Sequence, residues 1–146
     1  MKRIVLFLSV AVIMTLGLAS CGSSGEPADG GFSDIDVDLT KMSATMVYSE
    51  VYDMMYTPEN YVGKTVKMKG QCAAYQDPNT GNDYYACIIQ DATACCSQGL
   101  EFDLDESYEF PADYPIDGKE VTVTGVFTTY DEEGETYCTL KDAQYQ

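Results

Sequence analysis

The sequence predicts a mainly β domain, one amphipathic helix followed by five strands that close into a small barrel. Three observations carry this. Apolar residues fall at helical spacing over one stretch only, between Ala44 and Met55. From Gly63 onward the period switches to two. An eight-residue pattern, G-K-x-V-x-apolar-x-G, then occurs twice, at Gly63–Gly70 and again at Gly118–Gly125. Each copy is a turn glycine, an alternating strand and a second glycine where the strand can bend or bulge. Two strands that coil far enough to serve both sides of a small closed sheet need such corners, so Gly70 and Gly125 are expected to be structural.

Met1-Lys2-Arg3 is a short basic start, and Ile4 to Leu18 is apolar apart from Ser9, Thr15 and Gly17. Such a run is too short and wrongly flanked for a spanning helix and fits a secretory signal over residues 1–20. Its end, Leu18-Ala19-Ser20-Cys21, resembles the lipobox of bacterial lipoproteins. The resemblance implies cleavage after Ser20 and lipidation of Cys21, which places the chain on the extracytoplasmic side of a membrane in the cell envelope. Residues 21–39 then read as the lipidated Cys and a flexible acidic tether, with 40–146 as the folded domain. Gly22 to Ser33 is rich in Gly, Ser and acid without apolar periodicity. Asp34 to Leu39 alternates strictly, as a short edge strand or an extended arm would. Its carboxylates read as solvated, because no Gly turn or later Glu follows at Ca²⁺-loop spacing.

Ser43 is placed to cap the helix, whose buried stripe is Ala44, Val47, Tyr48, Val51, Met54 and Met55 before Thr57-Pro58 stops it. The strands follow as Lys64–Tyr75, Asp83–Gln90, Leu100–Leu104, Val121–Tyr130 and Glu135–Lys141. The first two flank Asp77-Pro78-Asn79-Thr80-Gly81-Asn82, and the last two flank a four-residue loop, Asp131 to Gly134. The third and fourth are joined by a Pro-containing connection, Glu106 to Asp117. Five strands with the long connection in that place resemble the OB-fold, with a loop where that fold usually carries a helix. The stretches NYVGKTVKMKG, CIIQDATACCSQGLEF, VTVTGVF and TYCTLKDA also resemble small uncharacterised bacterial lipoproteins with an OB-like domain. A weaker similarity, a strand followed by adjacent Cys residues, links the chain to the soluble part of a two-component bacterial permease system. These resemblances imply a binding or accessory role and supply no reaction.

The composition narrows function further. The 146 residues contain no His, which removes Ser-His-Asp and Cys-His nucleophile systems and the usual metal-binding imidazoles. With 8 basic against 24 acidic residues and a formal charge of −16, nucleic acid is not an expected partner, since that affinity comes from Lys and Arg displacing counterions. The chain therefore reads as a monomeric, non-catalytic binding module without a cofactor, held to the membrane by its lipid and open to a small ligand or another envelope protein. Asp103, Asp105, Glu106 and Glu109 read as a solvated rim, with Glu101 on the same outer face as Asp103. Tyr75, Tyr84, Tyr85, Tyr108, Tyr114 and Tyr130 border the loops, where they could contact a peptide, glycan or partner.

Apart from Cys21, five cysteines remain. Any symmetric two- or four-residue loop centred on Asn79-Thr80 sets Cys72 opposite Cys87, at a separation that permits a cross-strand disulfide. The four-residue loop of the last hairpin would pair Phe127 with Cys138. Cys72, Cys87 and Cys138 would then line the interior, with Cys95 and Cys96 at its mouth. Structural thiols or disulfides are favoured in an exported protein. A thiolate site for Zn²⁺ or Cu⁺ at Cys95 and Cys96 is the alternative, and a thiol oxidoreductase the third reading. Neither functional reading is helped by the lack of a C-x-x-C, and no stoichiometric metal is expected.

Overall fold

The computed structural model describes residues 31–146. The expected signal segment, Cys21 and residues 22–30 of the tether lie outside them. Among the described residues the protein is mainly β, with one helix, α1 (Ala44–Tyr56), and six strands: β1 (Val37–Asp38), β2 (Thr65–Gln76), β3 (Asp83–Gln90), β4 (Ser97–Leu104), β5 (Glu120–Glu132) and β6 (Glu135–Tyr145).

The strands form one sheet in the order β1-β2-β3-β4-β6-β5, and an additional β2–β5 pairing turns that sheet back on itself. Antiparallel pairing holds throughout except for β1 on β2 and β4 on β6, which are parallel. β2 makes the return possible by changing partners along its length. Residues Thr65–Gln71 pair with β5, and Gln71–Gln76 pair with β3. The change falls at Gln71, which pairs with both, directly after Gly70, where an added Cβ would lie 2.3 Å from the Ile88 carbonyl oxygen. Gly125 also serves a bend. The β5–β6 register slips between Thr124 and Val126, the extra residue lies on β6, and Asp142 there adopts a φ of 50°. A Cβ on Gly125 would stand 3.0 Å from the Cβ atoms of Ala143 and Leu140. Gly99, which the sequence pattern does not single out, approaches as closely: its Cβ would meet the Cys87 carbonyl at 2.5 Å.

Val66, Met68, Cys72, Cys87, Leu100, Val123, Phe127 and Leu140 form the centre of the core, each 1% exposed or less. α1 buries Val51 and Met54 against this sheet, with Val47 and Tyr48 half-buried beside them. Tyr61 pins the helix down. Its hydroxyl lies 2.9 Å from Glu50 and 2.7 Å from Asp53, and its ring rests on Phe127 with centroids 6.0 Å apart.

Four expectations change. Ala44 is exposed and Met55 is 50% exposed, so neither is part of the buried stripe, because the sheet meets only the arc that carries Val51 and Met54. Ser43 makes no side-chain cap bond; its carbonyl accepts from Val47 N–H instead. The ordered fold begins before residue 40, since Val37 pairs with Val66 and Leu39 is 1% exposed. Asp36 locks that entry by accepting from the Thr65 amide at 2.8 Å.

The fourth change concerns the last hairpin. Glu132 pairs with Glu135, so its loop is two residues, Glu133 and Gly134, with φ of 52° and 89°. Positive φ at both central residues matches the twist of the flanking strands, the geometry of a tight primed turn. Cys138 therefore faces Thr129 and not Phe127, which pairs with Leu140. A shift of two residues keeps each side chain on its own face. Cys138 thus stays on the core side, half-buried, with its sulfur 3.9 Å from the Met54 carbonyl.

Candidate functional site

The outer faces of the sheet meet in an aromatic and acidic cleft of about 510 Å³, adjoined by a second hollow of about 420 Å³ under the two hairpin loops. Tyr84, Glu101, Tyr130 and Glu132 line both. Strand alternation explains their presence. Leu100, Phe102 and Leu104 of β4 point into the core, so Glu101 and Asp103 point out, and Tyr130 and Glu132 stand on the outward side of β5. β3 contributes Tyr84 from the end nearest the Asp77–Asn82 turn, which Asp77 organises by accepting from the Asn79 amide and the Thr80 hydroxyl.

Each of the two central carboxylates is held by a tyrosine. Tyr130 donates to Glu101 at 2.6 Å, and the Tyr84 hydroxyl lies 2.8 Å from both oxygens of Glu132. Burial raises the Glu101 carboxyl above its ordinary value, opposed by the Tyr130 hydrogen bond and assisted by the charge on Glu132. Burial and the same hydrogen bond raise the Tyr130 phenol, keeping its proton on the tyrosine. Tyr75 stacks on Tyr84 and Tyr137 on Tyr130, at 6.4 and 5.5 Å between centroids. Tyr85, Phe110 and Tyr114 build the far wall, with Tyr85 and Tyr114 at 4.7 Å. Among the described lining residues Lys141 is the only cation, and it is committed to Asp103 at 2.9 Å.

The loop-bordering tyrosines of the sequence reading thus fall into two groups. Tyr75, Tyr84, Tyr85, Tyr114 and Tyr130 line the cleft or its adjoining hollow, whereas Tyr108 packs on Tyr145 elsewhere. Asp105 takes no part in the cleft and binds Ser107 and Gln144 instead. Glu132 and Tyr137 were not singled out from sequence. A four-residue loop puts Glu132 in a turn, whereas the two-residue turn extends β5 and gives Glu132 the outward position two beyond Tyr130.

Cys72 and Cys87 are direct cross-strand partners, both buried, and both stand as free thiols. The observed six-residue loop is symmetric about the same centre as the shorter ones, so the pairing is the expected one. Burial pushes the Cys87 thiol up to about 12, and burial followed by the charge on Asp117 raises Cys72. A nucleophilic or redox-active cysteine needs the opposite shift. Cys95 and Cys96 are exposed in the turn between β3 and β4, at the other end of β3 from Tyr84, and the turn brings Asp91 to them.

No protein-family model and no curated protein matches the chain. Among solved structures, the chain is similar to a "putative nucleic acid-binding lipoprotein" from Klebsiella pneumoniae. The identity is 16% and the TM-score 0.48, over 83% of this chain and 99% of that one.

Proposed function

We propose that this protein is a lipid-anchored extracytoplasmic binding module, non-catalytic, in which an OB-like barrel holds a cationic ligand, such as a basic peptide segment, in the Tyr84–Glu101–Tyr130–Glu132 cleft. The observation that carries the reading is the pair of carboxylates, each held in place by a tyrosine hydroxyl and walled by aromatic rings. Fixed anionic acceptors beside π faces favour an ammonium or guanidinium group, and their orientation requires no reorganisation on binding. The ring of strand pairings, with its single parallel contact between β4 and β6, supports the OB-like reading. Nucleic acid is a poor fit, because phosphates would meet Glu101, Asp103 and Glu132 with Lys141 already paired.

Calorimetric titration of the full chain in detergent with a tetra-arginine peptide tests this. Binding is expected to weaken with salt, and Glu101→Gln with Glu132→Gln to reduce affinity at least about tenfold, or about 1.4 kcal/mol. The double substitution separates the cleft from diffuse attraction by the acidic surface. Acidification should also weaken binding, and the sign is fixed by protonation. Glu101 takes up its proton at higher pH than an exposed Glu does, so affinity begins to fall before ordinary carboxylates titrate. Equal affinity in the double variant, or saturable binding of an oligothymidylate at this cleft, would refute the reading.

The anchor rests on Leu18-Ala19-Ser20-Cys21. Among the described residues no helix is long and apolar enough to cross a membrane. Cys21→Ser is expected to move the protein from membrane to soluble fractions or to leave an uncleaved precursor. Unchanged fractionation together with an unchanged N-terminus counts against lipidation.

A further inference from the structure

The turn between β3 and β4 gathers a set of soft and hard donor atoms that neither the fold nor the cleft requires. Consecutive residues of a strand point to opposite faces, so adjacent cysteines ordinarily separate their sulfurs. Here the chain leaves β3 at Gln90 and re-enters at Ser97, and Ala94 takes a φ of 54° just before the pair. Cys95 Sγ and Cys96 Sγ consequently lie 3.5 Å apart. Asp91 closes the turn through its amide, which donates to the Cys96 carbonyl at 2.9 Å. Its Oδ1 accepts the amides of Thr93 and Cys95, at 3.1 and 3.0 Å, the Thr93 hydroxyl donates to Oδ1 and Oδ2 at 3.1 and 3.0 Å, and Oδ2 also lies 3.2 Å from Cys95 Sγ. All three donor atoms fall within 4.8 Å of one another, and both thiols are exposed.

Contrary to the expectation from sequence that no stoichiometric metal is held, we propose that Asp91, Cys95 and Cys96 form a metal site for a divalent, thiophilic cation of the Zn²⁺ class. The sulfur spacing discriminates among metals. Two thiolates bound at about 2.3 Å in a tetrahedron lie about 3.8 Å apart, whereas a linear arrangement, as monovalent copper adopts, needs about 4.6 Å at the same bond length. The observed 3.5 Å is nearer the tetrahedral spacing than the linear one. A carboxylate as third ligand also suits Zn²⁺ better than Cu⁺, which selects thiolate and thioether. With no His in the chain, the thiols are its strongest ligands for such an ion. Three protein ligands leave a fourth position for water. On binding, Cys95 and Cys96 each release one proton to solvent while Asp91 is already ionised. One metal therefore displaces two protons, and the site charge stays at one minus, because the ion's two positive charges replace those of the two protons.

This site stands at the opposite end of β3 from the cleft, so its failure would leave the cationic-ligand reading untouched. The test is titration of the reduced full chain in detergent with Cd²⁺ alone, followed by competition with Zn²⁺. The expected result is a thiolate-to-metal charge-transfer band that saturates at one equivalent, with two protons released, and that Zn²⁺ abolishes. Cys95→Ser with Cys96→Ser should eliminate the band without moving the unfolding midpoint, because both side chains are exposed. Asp91→Asn should weaken affinity at least about tenfold, the loss typical even for groups that only support a ligand. Cys138→Ser should leave the band intact. No band at one equivalent, or a band that survives the double substitution, would overturn the site. So would a native protein in which Cys95 and Cys96 are joined, seen as a mass two hydrogens lower within that peptide.

Discussion

Gly70→Ala is expected to destabilise the domain by about 3 kcal/mol, nearly as much as Gly70→Val, because the first added carbon already collides. That carbon would sit 2.3 Å from the Ile88 carbonyl oxygen, 2.9 Å from its carbon and 3.0 Å from the Cys87 sulfur. Two of those three atoms are backbone, in a strand paired on both sides, so neither can rotate away. Gly125 differs in kind. Its nearest neighbours are two Cβ atoms and one carbonyl, all at 3.0 Å, and the bulge at Asp142 gives that segment some freedom to shift. Gly125→Ala should therefore cost about 1 kcal/mol, with Val more costly. Urea denaturation of the four variants measures the ranking. An unchanged midpoint for Gly70→Ala would show that β2 and β3 do not approach this closely.

Phe127→Ala is expected to cost about 3–5 kcal/mol, the range for removing a fully buried ring from a core that cannot collapse around the gap. Phe127 is completely buried on β5 and joined to the β2 entry by two backbone bonds, Gly63 N–H to its carbonyl and its own N–H to the Lys64 carbonyl, both 2.9 Å. These hold the chain in place and resist closure of the cavity. The loss should spread to α1, because the Tyr61 ring lies between Phe127 and the helix carboxylates Glu50 and Asp53. Amide hydrogen exchange is the discriminating readout: protection should fall in α1 as well as in β5. A midpoint shift of less than about 1 kcal/mol, or loosening confined to β5, would contradict this coupling.

Local pattern made much of this fold legible. The β2–β3 register followed from loop symmetry, since a two-, four- or six-residue turn about Asn79-Thr80 aligns the same residues, and Cys72 meets Cys87 in all three cases. The β5–β6 register did not follow. Glu133 in a left-handed conformation is unusual for a residue with a side chain, and no Asn-Gly or Asp-Gly pair announced a two-residue turn there. That one misplacement also concealed Glu132. β1 was ambiguous for a different reason: the alternation from Asp34 to Leu39 suits an edge strand and an extended arm equally, and the strand character of Val37–Asp38 comes from pairing with β2 beside them.

The sequence alone determined which residues alternate, where the helix stops, that two glycines mark comparable corners, and that the chain has neither imidazoles nor an excess of cations. Each of these is a property of near neighbours or of a simple count. Tertiary structure decided the convergence of Glu101 from β4 with Tyr130 and Glu132 from β5, and the meeting of Asp91 with Cys95 and Cys96. Alternation says only that a side chain points outward. Which outward side chains then share a cleft depends on how far the sheet coils before β5 returns to β2, and that is set by packing at Gly70, Gly99 and Gly125, contacts between residues distant in the chain.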